Sequence, residues 1–99
     1  MLKLRINPMV VVDLKNIKEY IADDNPYAAQ QTVQEIYNQM ENLQQFPSMG
    51  ADLSKRVSFK TDYKYVVCRN YIVLYKVGKE YVEIYRVVNR LQDITKVFE

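Results

Sequence analysis

Ninety-nine residues, 48% hydrophobic and 26% charged, are enough for one domain with a single modest core. The net charge of +2 is uneven: residues 1–54 carry 4 basic and 7 acidic side chains, residues 55–99 carry 10 and 5. No apolar run approaches the roughly 20 residues that span a bilayer or forms a secretory h-region, and the lone Cys68 excludes an internal disulfide, so a cytoplasmic chain with no membrane segment is expected.

Residues 2–6, LKLRI, alternate apolar and basic, the period of a half-buried strand. Asn7-Pro8 then supplies a side-chain acceptor for free N–H groups and a proline at the first helical position. Val10, Leu14, Ile17 and Ile21 draw one apolar stripe, which predicts a helix over 8–23. Asn25-Pro26 repeats the punctuation, and Ala29, Val33, Ile36, Met40 and Leu43 predict a second helix over 26–46. So short a connection makes the pair an antiparallel helical hairpin. Neither helix is basic, which argues against a DNA-reading helix.

Phe46-Pro47 ends the second helix, and residues 47–62 read as a long loop with an extended piece at Arg56–Phe59. Three runs of β-formers follow, at 63–69, 71–77 and 81–88, broken at Asn70 and at Gly78-Lys79. Breaks this short predict an antiparallel meander. Residues 93–99 could add a turn or two of helix held by Ile94, Val97 and Phe98. The expected fold is α+β, in the order β-α-α-β-β-β(-α). Its helical hairpin covers one face of a mainly antiparallel four-stranded sheet, with the first strand on an edge of the meander and the opposite face open.

The absences narrow the chemistry. Without histidine there is no imidazole base, and one cysteine cannot build a His/Cys metal site. Gly50 and Gly78 alone cannot make a phosphate loop. No metal and no cofactor are expected. Cys68, beside Val66 and Val67, reads as a buried inert thiol. The six tyrosines in 63–93 either pair across strands or, interleaved with Lys and Arg, offer stacking surfaces. Alternation would put Arg86 on the face made apolar by Val82 and Ile84. Either a bulge re-aims the strand there, or Arg86 pairs with a carboxylate or phosphate. Guanidinium groups bind anions and steady developing charge but are poor bases.

Four segments carry a resemblance: NPYAA at 25–29, L-x-x-F-P-x-x-G at 43–50, Y-x-V-L-Y-K-V at 71–77 and VEIYRVVNRLQD at 82–93. In their order and spacing, and over nearly the whole chain, they resemble the RelE/ParE toxin superfamily. The resemblance implies the toxin of a bacterial type II toxin–antitoxin module, of the plasmid-stabilisation kind. A cognate antitoxin would silence it, and a homodimer or toxin–antitoxin hetero-oligomer would be compatible. RelE-like members cut mRNA on the ribosome; ParE-like members poison DNA gyrase. The position of the nuclease arginine after the turn holds Ile72, a C-terminal tyrosine falls near Phe98, and the alternative histidine is missing.

The resemblance therefore favours a ParE-like toxin that acts by binding gyrase. Its expected target- and antitoxin-binding residues are Lys55, Arg56, Lys64, Tyr85, Asn89 and Arg90. The alternative, a ribosome-dependent endonuclease, would use Arg90, Arg86 and Arg69 as its catalytic set, and a non-toxic interaction module is the third reading.

Overall fold

The computed structural model describes residues 1–98. Strand β1 (Lys3–Ile6) leads into helix α1 (Pro8–Ala22) and helix α2 (Pro26–Gln45), then β2 (Ala51–Asp52), a short 3₁₀ turn at Leu53–Lys55, and the meander β3 (Lys64–Cys68), β4 (Tyr71–Val77) and β5 (Tyr81–Asn89). A further 3₁₀ turn spans Ile94–Phe98. Both helix starts follow from the local chemistry. Asn7 Oδ1 accepts the Met9 N–H at 2.9 Å and Asn25 Oδ1 accepts the Ala28 N–H at 3.1 Å, each ahead of a proline at the first helical position.

The fold is α+β as expected, but the sheet has five strands rather than four, in the order β1-β5-β4-β3-β2. The added strand is β2, which pairs Ala51 with Tyr65 and Asp52 with Lys64. Two residues are too few to show a period, and the extended piece expected at Arg56–Phe59 is a bend instead. Neighbours within the meander are antiparallel, whereas β1 lies parallel to the first half of β5, Lys3 opposite Tyr81 and Ile6 opposite Ile84. The chain between them, residues 7–80 with the helical hairpin and β2 to β4, supplies the long return that a parallel pair needs.

Two cores sit on the two faces. On the helix side, Val10, Leu14, Ile17, Ile36, Met40 and Leu43 pack against Val73, Tyr75, Val82, Ile84 and Val87. The predicted stripes face this layer, with Val33 only partly buried and Thr32 buried beside it. The opposite face, expected to be open, is closed along β4 and β5 by Leu53 and Ile94 over Ile72, Leu74 and Val88, with Phe98, Tyr63 and Tyr85 at the margin. Central-strand Ile72 and Leu74 are too apolar to leave in water, so the loop after β2 and the final turn fold over them.

The conflict at Arg86 is resolved by a bulge. Leu74 opposes Arg86 while Tyr75 opposes Ile84, which leaves Tyr85 without a partner. Before the bulge Val82 and Ile84 face the helices; after it Val87 does, and Val88 turns to the second core.

Candidate functional site

Three arginines of the basic half, Arg56, Arg69 and Arg90, gather at one end of the sheet. There the β3–β4 turn, Arg69-Asn70, lies beside the exit of β5, with Tyr71 opposite Asn89 and the Arg90 N–H donating to the Asn70 carbonyl at 2.8 Å. Arg69 takes φ 55°, a left-handed conformation that lets so short a turn close. Arg90 Nη1 donates to the Arg69 carbonyl at 3.4 Å, and Arg56 Nη2 to the Arg90 carbonyl at 3.5 Å. Arg56 also covers the Tyr65 ring, 5.3 Å from its centroid. Three guanidinium groups thus share one end of the sheet, and the hydrogen bonds of Arg56 and Arg90 are long ones to carbonyls.

Arg69 is the exception. Its Nε and Nη2 make 2.6 and 2.9 Å bonds to the two Glu35 oxygens, and Nη1 reaches Thr32 Oγ1 at 3.1 Å. The Arg69 hydrogen bonds hold the Glu35 carboxyl below its ordinary range, and Glu35 raises Arg69 in turn. Arg86 lies away from the cluster, on the helix side. Its Nε and Nη2 each donate to Asp13 at 2.8 Å, and Asp13 also accepts the Val87 N–H at 3.0 Å. Arg90 has no carboxylate partner among the described residues; Asp93 turns instead to the Thr95 N–H and hydroxyl at 3.1 and 2.6 Å.

Of the expected binding residues, Arg56, Asn89 and Arg90 come together here, and Lys55 lies exposed at the end of the neighbouring 3₁₀ turn. Lys64 is spent on Asp52 at 2.7 Å. Tyr85 lies under the C-terminal turn, stacked on Phe98 at 5.4 Å, with its hydroxyl 3.5 Å from the Val97 carbonyl oxygen. Burial pushes Tyr63, Tyr71 and Tyr75 above the ordinary phenol range, the wrong direction for a base, and raises the buried Cys68 thiol likewise. Among the described residues no group of acids and Cys68 gathers that could hold a metal ion. The arrangement can hold an anion or a carboxylate through fixed cations.

Sequence reasoning missed three participants. Glu35 and Asp13, the carboxylates that occupy Arg69 and Arg86, sit on α2 and α1; the one signal for Asp13 was an acid standing beside an apolar stripe. Leu91, 90% exposed in the turn after β5, entered the sequence reading only as part of the 82–93 segment.

The family model described as ParE toxin of type II toxin–antitoxin system, parDE, matches residues 4–94. Among solved structures, a chain of the chromosomal ParDE toxin–antitoxin system from P. aeruginosa superposes with a TM-score of 0.73 at 23% identity, covering 90% of this chain and 96% of that one. At that identity the likeness is one of fold. No curated protein matches the sequence.

Proposed function

The chain belongs to the ParE toxin family of type II toxin–antitoxin systems, with a cognate antitoxin as its partner, and we propose that it arrests growth by binding DNA gyrase rather than by cutting RNA. The observation that carries this reading is the state of the three arginines a nuclease would need. Arg86 is held bidentately by Asp13 and Arg69 by Glu35, so two of the three charges are matched inside the protein and only Arg90 is left for a phosphate. A phosphoryl transition state needs several unpaired convergent cations, and the pairing of Arg69 and Arg86 inside the protein depletes that set. A recognition surface needs less: a desolvated arginine or two and a rigid frame to present them.

The antitoxin then silences the toxin by occupying the same end of the sheet. Its acidic side chains would find Arg56 and Arg90, since Arg86 is already neutralised. Induction of the toxin, with leucine and thymidine incorporation followed in time, tests the reading. Thymidine incorporation should fall first, and the purified protein should inhibit gyrase supercoiling. Early loss of leucine incorporation with cleaved messages would overturn it in favour of a ribosome-dependent nuclease.

A further inference from the structure

Leu91 is the most exposed large apolar side chain after the N-terminal methionine among the described residues, yet its turn is firmly built. Asn89 Oδ1 accepts the Leu91 N–H at 2.9 Å, the Asn89 carbonyl accepts the Gln92 N–H at 3.0 Å, and the Arg90 N–H is tied to Asn70. A floppy loop could fold such a side chain inward; this turn holds it out. Three surface hollows of roughly 260, 200 and 350 Å³ border residues 89–93 from different sides, so the turn stands up as a knob among depressions. Arg90, with no carboxylate of its own among the described residues, is the cation next to it.

We infer that this knob is the docking element for the target: Leu91 enters an apolar pocket on a protein surface whose rim carries carboxylates for Arg90. The inference deepens the binding reading above and rests on it. Protein is favoured over nucleic acid by the mixture of charges around the knob. Asp93 stands with Arg56 in one hollow and Asp13 with the Arg86 it neutralises in another, beside the uncharged amides of Asn89 and Gln92; the acids would be repelled by phosphates, whereas so mixed a rim suits a protein interface. Area alone does not give affinity; an apolar anchor in a fully desolvated pocket beside a paired arginine does.

The experiment compares the parent with Leu91→Ala and Leu91→Met in growth arrest at matched expression, gyrase supercoiling inhibition, thermal melting, and anisotropy with a short DNA duplex. Burying one leucine side chain corresponds to about a 10- to 100-fold effect on affinity. Leu91→Ala should therefore need at least about ten times more protein for the same inhibition while melting like the parent. Leu91→Met, which keeps the apolar volume, should restore most of the effect. Equal potency of Leu91→Ala and the parent, or equal weakness of Met and Ala, overturns the inference. Duplex DNA bound by the parent and released by Leu91→Ala overturns it in favour of nucleic acid. Should the parent leave gyrase untouched, the gyrase reading fails on its own, and the growth series still decides whether Leu91 docks to a target.

Discussion

Asp13 and Arg86, 73 positions apart, meet as a two-bond pair at 2.8 Å each, and the same carboxylate takes the Val87 N–H. Strand β1 stops at Ile6, so the upper half of β5 has no strand on that side. An acid from α1 takes the place of the missing neighbour: it satisfies an edge N–H, neutralises the arginine that the bulge swings toward the helices, and pins α1 to the sheet.

Asp13→Ala should therefore cost about 2–4 kcal/mol, somewhat less than the ~3–5 kcal/mol of a wholly enclosed pair, because water can still reach part of Arg86. Denaturant unfolding measures it. The double replacement Asp13→Leu with Arg86→Met should recover part of the loss, since an apolar pair needs no desolvated charge while the Val87 N–H still lacks its acceptor. If that double variant folds and still arrests growth, Arg86 is removed from any catalytic set. A cost for Asp13→Ala under about 0.5 kcal/mol would mean the pair is surface decoration.

Much of this fold could be read locally. Asn7-Pro8 and Asn25-Pro26 act within a few residues, and the stripe from Ala29 to Leu43 carries its own period, so helix starts and buried faces were legible. Arg86 was legible only as a contradiction: its position clashed with the apolar face, and the two remedies, a bulge or a carboxylate partner, could not be separated because Asp13 lies on another element. Both turned out to operate. The closure of the far face was hidden because Leu53, Ile94 and Phe98 are isolated apolar residues in irregular segments, with no period to announce them. At the basic end, Arg90 was visible as a charge in a basic half; that Arg69 would be matched by Glu35 depended on how the hairpin lies over the β3–β4 turn.

Gly50 is required for a close approach rather than for a special backbone angle. Its N–H donates to the Tyr75 hydroxyl at 3.0 Å, and that hydroxyl donates to the Pro47 carbonyl at 2.8 Å, in a pocket where Tyr75 is fully buried. An added Cβ would collide with the Tyr75 hydroxyl and lie 2.7 Å from the Tyr65 carbonyl oxygen. Gly50→Ala should cost about 1–3 kcal/mol by overpacking. Tyr75→Phe should cost about 1–3 kcal/mol by orphaning the Gly50 N–H and the Pro47 carbonyl. The double variant should lose less than the two costs combined, because one of the colliding atoms has gone, though the Tyr65 carbonyl remains. Strict additivity in urea titrations would argue against this contact.

The Glu35–Arg69 pair predicts a signed pH effect. A carboxyl held below its ordinary 4.5 by Arg69 favours the folded state wherever it is ionised in both states. That contribution is present above about pH 4.5 and is lost as pH falls through the depressed value. The advantage of the parent over Glu35→Gln should be level from about pH 5 upward and shrink below about 4.5. It should also fade at high salt, because the pair is exposed. Denaturation midpoints of both proteins across this range check it; an advantage that grows on acidification would mean that the carboxyl is raised instead.

Arg90 separates stability from function most cleanly. It follows the longest strand and stands in the basic half of the chain. Its guanidinium makes only a 3.4 Å bond to the Arg69 carbonyl, and the neighbouring Asp93 is engaged by Thr95. Arg90→Ala should leave unfolding within about 0.5–1 kcal/mol of the parent, since an exposed strand-end charge holds little packing. Toxicity should fall steeply, because an arginine desolvated at a recognition site is worth about 2 kcal/mol or more, roughly thirtyfold in affinity. Arg90→Lys divides the remaining possibilities: retained growth arrest indicates a point charge, and lost arrest a planar two-bond contact with a carboxylate. Melting temperature and growth inhibition, measured on the same preparations, decide the matter. A variant Arg90→Ala that melts like the parent and still stops growth would remove Arg90, and with it the basic end of the sheet, from the recognition surface.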